Sequence, residues 1–520
     1  VVVVKEDTEQ LLLGIDIGTT GCKCTVYDLT GIPVVSGYEE YTMHSPQPGW
    51  CEENPNDWWN ATINNCNRIF NDSRISAERI KAIGVSCTNS IIPVDKECRP
   101  IYNAIMQLDQ RGMQEVSWIR ETIGEENLFA ITGNRVAPGT FALPTIRWFM
   151  SHRPDIFENT YRFLVPSGFI IGKLTGEFTI NTSRMATTAL ADIRSRDWAY
   201  GLMEKIGFPV EKLPRRYEAW EIVGAVTTAA AMATGLKAGT PVVAGAMDTV
   251  AAAVGAGGIH PEDSLLAIGT CARLCLTTDK PYFDNRFMNC PSALPERWLS
   301  IAAINGAGVS LRWFRDTLGG AAVEKARENG KSGYAILDQA AEQSQVGAKG
   351  LTYLPYLAGE RSPIWNPNAR GVFFGINLGT THGDFVRSML EGIAFAIKQN
   401  LNIWLGLGKK VENLSLGGGA ANSRIWTQIL ADIVERPIIR LKINETETLG
   451  DAILAGIGIG IIKNPVEVAR GVIDYSSIVE PNSKHYEQYR EQFRLYEKLY
   501  LDLKDNFDTL AQMNKNQQKK

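Results

Sequence analysis

The sequence predicts an α/β protein in which one strand-rich, layered domain occurs twice. Three observations carry that prediction. The opening third alternates short apolar runs with a helical pattern in βββαβ order. A second strand-rich start, "SLLAIGTCARLCLTTD" at 264, can be laid on the opening "LLLGIDIGTTGCKCTVYD": Ile17-Gly18-Thr19 falls on Ile268-Gly269-Thr270, Cys24 on Cys275 and Asp28 on Asp279. The 520 residues also exceed the ~100–200 usual for one domain. The boundary falls near "GAGGIHPED".

Taken in order, "LLLGIDIG", "CKCTVYDLTG" and "PVVSGYEEYT" read as strands, with "DLTG" as a hairpin turn. "NPNDWWNATINNCNRIFND" has helical spacing, with Trp58, Ile63, Cys66 and Ile69 on one face and Asn54-Pro55 as its start. "IKAIGVSCTNSIIPVD" is a strand pair broken by the polar "CTNS". Later, "VENLSLGGGAANSRIWTQILADIVERP" reads strand, glycine turn, helix. "TETLGDAILAGIGIGII" is a mostly buried helix, and "EQYREQFRLYEKLYLDLKDNF" an amphipathic one whose charges form a solvated face. The polar tail "MNKNQQKK" is expected to fray.

With 44% hydrophobic and 21% charged residues the chain has the make-up of a globular protein with a full core. A net charge of -4 gives no electrostatic reason to expect nucleic acid or a membrane surface. Nine cysteines include no Cys-x-x-Cys pair and no histidine at zinc-ligand spacing, so reduced core thiols and a cytoplasmic location are expected. The apolar part of "VVVVKEDTEQ" is too short for a signal peptide, and its charges follow that part. No run of ~18 uncharged apolar residues is present.

Three segments have the chemistry of a site. Asp16 ends an apolar strand beside Gly18, Thr19 and Thr20, with Lys23 following. An ordinary hairpin explains such a turn, and so does a cradle of N–H groups and hydroxyls for phosphate and metal. It is not the Gly-x-x-x-x-Gly-Lys-Ser/Thr loop. The glycines of "GGGAANS", 417–423, either pack a strand tightly on a helix or let a ring or sugar lie on the backbone. Asp248, in "VVAGAMDTVAAAVGAGG", stands between an apolar strand and an alanine-rich helix. It fits an N-cap there, at the strand end where α/β sheets place ligands.

Together these segments resemble the FGGY family of carbohydrate kinases over residues 10 to 480. "GIDIGTTGCKC" is similar to its first phosphate loop and "GWCEENPNDWW" to its Trp-x-Glu-x-x-Pro-x-x-Trp-Trp stretch. "AGAMDTVAAAVGAG" resembles the base segment and "LLAIGTCARL" the second phosphate loop. "LPYLAGERSPIWNPNARGVFFGI" resembles the xylulokinase-type segment, "GVFFGINLGTTHGDFVRSMLE" the family signature, and "LGGGAANSRIWTQILADI" the adenosine loop.

The resemblance implies two ribonuclease-H-like (actin/hexokinase-type) domains with a cleft between them. It places an N-terminal domain at 10–259, a C-terminal domain at 260–480, and a helix and tail at 481–520. ATP and Mg2+ are the expected cofactors. Asp16 would hold Mg2+, with Thr19, Thr20 and Lys23 along the phosphates and Thr270 opposing them. Adenosine would lie on Gly418, Gly419 and Ser423, with Gly308 a further nucleotide contact. Asp248 would accept the proton of the attacking hydroxyl, as phosphoryl transfer requires little more than placement and charge stabilisation.

The sugar segments depart from the xylulokinase pattern. Thr88-Asn89-Ser90 stands where xylulokinases have Met-His-Gly and resembles the ribulokinase stretch. Gln107-Leu108-Asp109-Gln110-Arg111 replaces Trp-Asn-Asp-Gly-Arg, keeping Asp109 and Arg111, and Thr249 follows the base in place of Asn or Gln. One buried hydrogen bond gained or lost can change substrate discrimination by orders of magnitude. The expected substrate is a ketopentose or related polyol. Two alternatives stay open: a quorum-sensing autoinducer kinase, with which "LRWFRD" at 311–316 agrees, and an ATP-binding regulator without catalysis. The expected partner is the small sugar, with no nucleic acid or membrane, and a homodimer is the oligomeric option.

Overall fold

Leu11–Ile17 (β1) is buried throughout its apolar positions and becomes the centre of a sheet. In the computed structural model it pairs antiparallel with Gly21–Asp28 (β2), which pairs with Pro33–Glu40 (β3). On its other side β1 runs parallel to Ile80–Cys87 (β4). Beyond lie Ile222–Ala225 (β5) and Pro241–Val243 (β6), giving the order β5-β6-β4-β1-β2-β3. The structure describes residues 10–72, 75–281, 283–320, 324, 326, 328, 330, 332–441, 445–471 and 473–518. The valine-rich start at 1–9 lies outside them.

A second set of strands repeats this order. Ser264–Ile268 (β7) pairs antiparallel with Ala272–Thr278 (β8), which neighbours Trp298–Ile304 (β9). On its other side β7 runs parallel to Leu414–Gly417 (β10). That strand is parallel to Ile438–Leu441 (β11), and the antiparallel Ile473–Val479 (β12) follows. Central strand, antiparallel hairpin, two parallel strands and an antiparallel edge recur in both sheets. The duplication read from the two Ile-Gly-Thr turns is therefore a duplication of topology. The overlay slips after the turn, however. Ile15 pairs with Cys24, whereas its counterpart Leu266 pairs with Leu274, not Cys275, because the second hairpin loop is one residue shorter.

By contacts the chain forms two units that are not continuous in sequence. The first comprises 1–261, 277–300 and 445–472; the second 262–276, 301–444 and 473–520. The linear division 10–259, 260–480 and 481–520 differs from this grouping because the chain returns. The Thr446–Gly458 helix packs on the first sheet at backbone range: a Cβ on Gly14 would stand 2.0 Å from Thr448 O, and one on Gly84 2.2 Å from Asp451 O. The same helix meets Asp248–Gly255, where a Cβ on Gly450 would stand 1.9 Å from Ala251 O. Tyr27 Oη, 2.8 Å from Thr448 Oγ1, ties β2 to it.

The first core gathers β1, β2, β4 and the Pro55–Asp72 helix, whose Trp58, Cys66 and Ile69 are buried as its periodicity predicts, while Ile63 of the same predicted face is only partly buried. The C-terminal helix Tyr486–Gln518 belongs to the second unit; Tyr496 Oη lies 2.8 Å from Tyr356 Oη and Tyr489 Oη donates to Glu391. It extends through much of the tail expected to fray. All nine cysteines are free thiols, eight of them buried. Among the described residues no helix is long and apolar enough to cross a membrane.

Candidate active site

In the first unit several candidate side chains gather where β1, β4 and β6 end. Asp16 sits in register between Lys23 on β2 and Ser86 on β4, and Ser86 Oγ donates to its Oδ1 at 2.8 Å. One residue past Ser86, Cys87 forms a parallel bridge to Met247, which brings Asp248 to the same end. Met247 is the N-cap of the Asp248–Gly255 helix, so Asp248 is the first helical residue and not the cap itself. Its Oδ1 accepts the Thr249 N–H at 2.7 Å and lies 3.2 Å from the Thr249 hydroxyl.

Sequence reasoning missed the group behind Asp248. Arg184, 1% exposed, brings Nη2 to 3.4 Å from Asp248 Oδ1 and also donates to Cys87 O. Its backbone N–H is held by Asn181 Oδ1, which also accepts from Ser183 Oγ; Ser183 Oγ in turn accepts the Met247 N–H at 2.9 Å. The local signal in "INTSR" is a capping Asn before small hydroxyls, and nothing in it marks the arginine.

Two further acids arrive on the Thr446–Gly458 helix, Glu447 and Asp451, which the glycine-studded reading of that segment passed over. Burial, then the negative charges of Glu447 and Asp248, push the Asp16 carboxyl up to about 7, against the smaller pull of Ser86 and Lys23. Asp451 is fully buried and is pushed well above the usual carboxylate range by that burial, which Ser86 only partly offsets. Acids crowded this way favour a cation. Among the described residues no three His, Cys, Asp or Glu groups stand close enough to cage a metal unaided. Mg2+ uses one or two carboxylates and takes its other ligands from water and phosphate, and Asp16 offers one such carboxylate.

The phosphate-loop candidates stand beside Asp16. Thr19 Oγ1 is 2.9 Å from Thr88 Oγ1, and Gln107 Nε2 reaches both, at 3.4 and 3.2 Å. Thr20 is exposed near Tyr38 Oη, 3.4 Å away. Lys23 Nζ lies 3.6 Å from Glu445, both partly solvated, an arrangement of small energy.

Asn89 is nearly buried. Its amide nitrogen donates to Thr140 O at 2.5 Å and its oxygen accepts from Thr187 at 3.2 Å. The Ser90 hydroxyl is buried without a hydrogen-bond partner among the described residues. Asp109 and Arg111 form a closed pair, both side chains 1% exposed. Arg111 makes two bonds to Asp109 at 2.9 and 2.8 Å and one ion pair to Glu52 at 2.8 Å, with Trp50 stacked 3.7 Å from its guanidinium. Asp109 also accepts the Cys51 N–H. A cavity of about 710 Å3 in this unit, lined by Arg162, Trp198, Arg216 and Tyr217, contains none of these residues.

In the second unit the nucleotide candidates also converge. Ala267 pairs with Gly417, so the Gly269–Thr270 turn and the Gly418–Gly419 turn follow adjacent parallel strands. Gly418 has φ +82 and lies so near Ile268 that a Cβ would stand 2.4 Å from its carbonyl oxygen. Gly308 begins the Gly308–Thr317 helix; its N–H donates to Gly269 O at 3.1 Å and the Val309 N–H to Thr270 O at 2.9 Å. Arg312 Nη2 lies 3.3 Å from Thr270 Oγ1. Ser423 caps the Arg424–Val434 helix through the Trp426 N–H at 3.2 Å. Thr270 and Gly419 are exposed, and Gly308 and Gly418 partly so.

Comparison with known proteins agrees with both halves. Residues 11–255 match the FGGY family of carbohydrate kinases, N-terminal domain, and residues 265–459 its C-terminal domain. A xylulose kinase of Escherichia coli (strain K12) is 30% identical over 500 residues, 95% of this chain and 99% of the relative. A gluconokinase of Bacillus subtilis (strain 168) is 28% identical, covering 95% and 98%. The crystal structure of xylulose kinase from Rhodospirillum rubrum superposes with a TM-score of 0.87 at 27% identity, covering 96% and 100%. The chain belongs to the FGGY family of carbohydrate kinases, ATP-dependent enzymes that phosphorylate a sugar hydroxyl.

Proposed function

We propose that the chain phosphorylates an uncharged open-chain sugar, a ketopentose of the xylulose or ribulose type or a related polyol. The observation that carries this reading is the state of the cations near the sugar candidates. Arg111 is paired with Asp109 and Glu52, Arg184 Nη2 bonds Cys87 O and Asp248, and both side chains are only 1% exposed. Neither is left to meet a substrate carboxylate, which argues against an aldonate. Likeness to xylulose kinases over nearly the whole chain supports the same class.

In this reading Asp248 accepts the proton of the attacking hydroxyl, a role worth ~10²–10⁴-fold. Arg184 and the Thr249 N–H keep its carboxylate aimed. Thr88, Asn89, Ser90, Asp109, Arg111 and Thr249 form or support the sugar subsite. Thr19, Thr20, Lys23 and Thr270 line the phosphates; Gly308, Gly418, Gly419 and Ser423 take the nucleoside. Asp16 would hold Mg2+, which when bound neutralises phosphate charge. A screen of ADP release over pentuloses, pentitols, aldonates, glycerol and an autoinducer precursor tests the reading. A ketopentose is expected to give the highest kcat/KM; an aldonate or autoinducer in first place overturns it, as does turnover with none.

A further inference from the structure

Residues Gly359–Ser362 are absent from every site described above, yet they fasten the turn that carries Gly308. Glu360 Oε1 accepts the Asn305 N–H at 2.6 Å and the Arg361 N–H at 2.8 Å. Arg361 Nε donates back to Asn305 Oδ1 at 2.7 Å, and Asn305 Nδ2 reaches Gly359 O at 3.3 Å. The Ser362 N–H donates to Ala303 O on β9. The two backbones run so close that a Cβ on Gly306 would stand 1.5 Å from Pro355 O. Directly after this clasp the chain enters the Gly308–Thr317 helix, whose first two N–H groups bond the Gly269 and Thr270 carbonyls.

Stability alone is a poor account of Glu360. It is 4% exposed, and its Oε2 has no hydrogen-bond partner among the described residues. Burial pushes its carboxyl up to about 7, against the pull of the N–H groups it accepts. A buried carboxyl with one idle oxygen costs stability. What it supplies is placement: one oxygen fixes two N–H groups, and the reciprocal Arg361–Asn305 bond fixes the turn's orientation.

We propose that Glu360, acting with Arg361 and Asn305, is a positioning residue for the nucleotide: it sets where the Gly308 turn stands against the Gly269–Thr270 turn, and so governs ATP affinity without touching ATP. The inference rests on the reading that Gly308 and Thr270 contact the nucleotide. A displacement of about 1 Å in such a turn can cost ~10²-fold.

The test is ADP affinity by calorimetry, beside KM for ATP, KM for the accepted sugar, and melting temperature. Glu360→Ala is expected to weaken ADP binding at least ~10-fold while the sugar KM stays within about twofold. Glu360→Gln keeps an acceptor oxygen and is expected to bring ADP affinity back to within about threefold of the parent. If Glu360→Ala does not fold, Asn305→Ala carries the test, with a loss of ~3–10-fold expected from its two missing bonds. Unchanged ADP affinity in these variants overturns the proposal, and so does an equal change in ADP affinity and sugar KM. Gly308→Ala separates the two readings. If it weakens ADP while Glu360→Ala does not, the clasp alone is wrong; if it leaves ADP unaffected, the nucleotide placement falls and the proposal with it.

Discussion

Ser86 Oγ donates to Asp16 Oδ1 across 2.8 Å, so a hydroxyl from the parallel strand β4 holds the acid at the end of β1. Lys23, directly across from Asp16 in the hairpin, turns its ammonium to Glu445. Asp16 is therefore an acid in largely negative surroundings, and the pull of Lys23 on it is outweighed by burial and by Glu447 and Asp248.

That relationship predicts a pH-dependent penalty. The folded Asp16 carboxyl sits at about 7, well above its unfolded value. The folded state then binds more protons than the unfolded one between about 4 and 7, so stability falls as pH rises through that window. In metal-free buffer Asp16→Asn is expected to match the parent near pH 4. At pH 8 it should exceed the parent by up to about 4 kcal/mol. The amide oxygen can still accept from Ser86. Added Mg2+ with ADP should stabilise the parent more than the variant. Denaturant melts at both pH values decide it: a variant no more stable at pH 8 than at pH 4, relative to the parent, sinks the idea.

Asp248→Asn addresses the base. The substitution keeps an oxygen for the Thr249 N–H and removes the proton acceptor. Turnover is expected to fall at least ~100-fold with ADP affinity within about threefold. Because Asp248 is the first helical residue and Met247 the cap, the helix should lose little, and the melting temperature should move by a few degrees at most. Near-normal turnover would remove Asp248 as the base.

Gly450→Ala addresses how the Thr446–Gly458 helix is seated. Its Cβ would stand 1.9 Å from Ala251 O, a backbone atom that no rotamer change can move. A loss of about 1–3 kcal/mol or more is expected. Gly201→Ala is the control: nothing lies within 4 Å of its Cβ position, in the helix Tyr200–Ile206, and it should be neutral or gain up to ~1 kcal/mol. Equal effects from both would mean that the glycine contact is not what seats the helix.

The sequence showed the strands around Asp16 clearly because a short continuous apolar run and a Gly-Thr-Thr turn are local signals. The close backbone approach at Gly418 was legible for a similar reason, since glycines between strand and helix mark it, whereas Gly308 came only from the family resemblance. The Thr446–Gly458 helix was recognised as buried, but nothing local says that it returns 430 residues later to β1, and so its two acids were not connected to Asp16. Arg184 was missed because a single arginine among hydroxyls has no spacing signature. Its role depends on Cys87 O and Asp248, which only the tertiary fold brings to it. The linear domain boundaries differ from the contact units for that reason too: local composition does not record a chain that crosses and comes back.

Asn89 is where substrate choice and structural support compete. Its amide bonds Thr140 O and Thr187 Oγ1, which leaves one N–H and one lone pair for a sugar hydroxyl. Asn89→Ala therefore has two expected effects. Loss of the Thr140 and Thr187 partners lowers the melting temperature by a few degrees, because a partly buried carbonyl loses its donor. Loss of the free N–H and lone pair lowers kcat/KM by ~5–150-fold for a sugar whose hydroxyl meets them, and less for one lacking that hydroxyl. Support alone would scale every sugar equally, whereas contact reorders them. ADP affinity serves as the reference, since the nucleoside candidates Gly418, Gly419 and Ser423 belong to the other unit. The decisive comparison is the ranking of pentuloses and pentitols in parent and variant at a temperature where both are folded. A changed ranking with ADP affinity intact keeps Asn89 in the sugar subsite. An unchanged ranking with a lower melting temperature makes it a strut for the Thr140 and Thr187 segments, and moves the search to the partnerless Ser90 hydroxyl and to Gln107 beside Thr88.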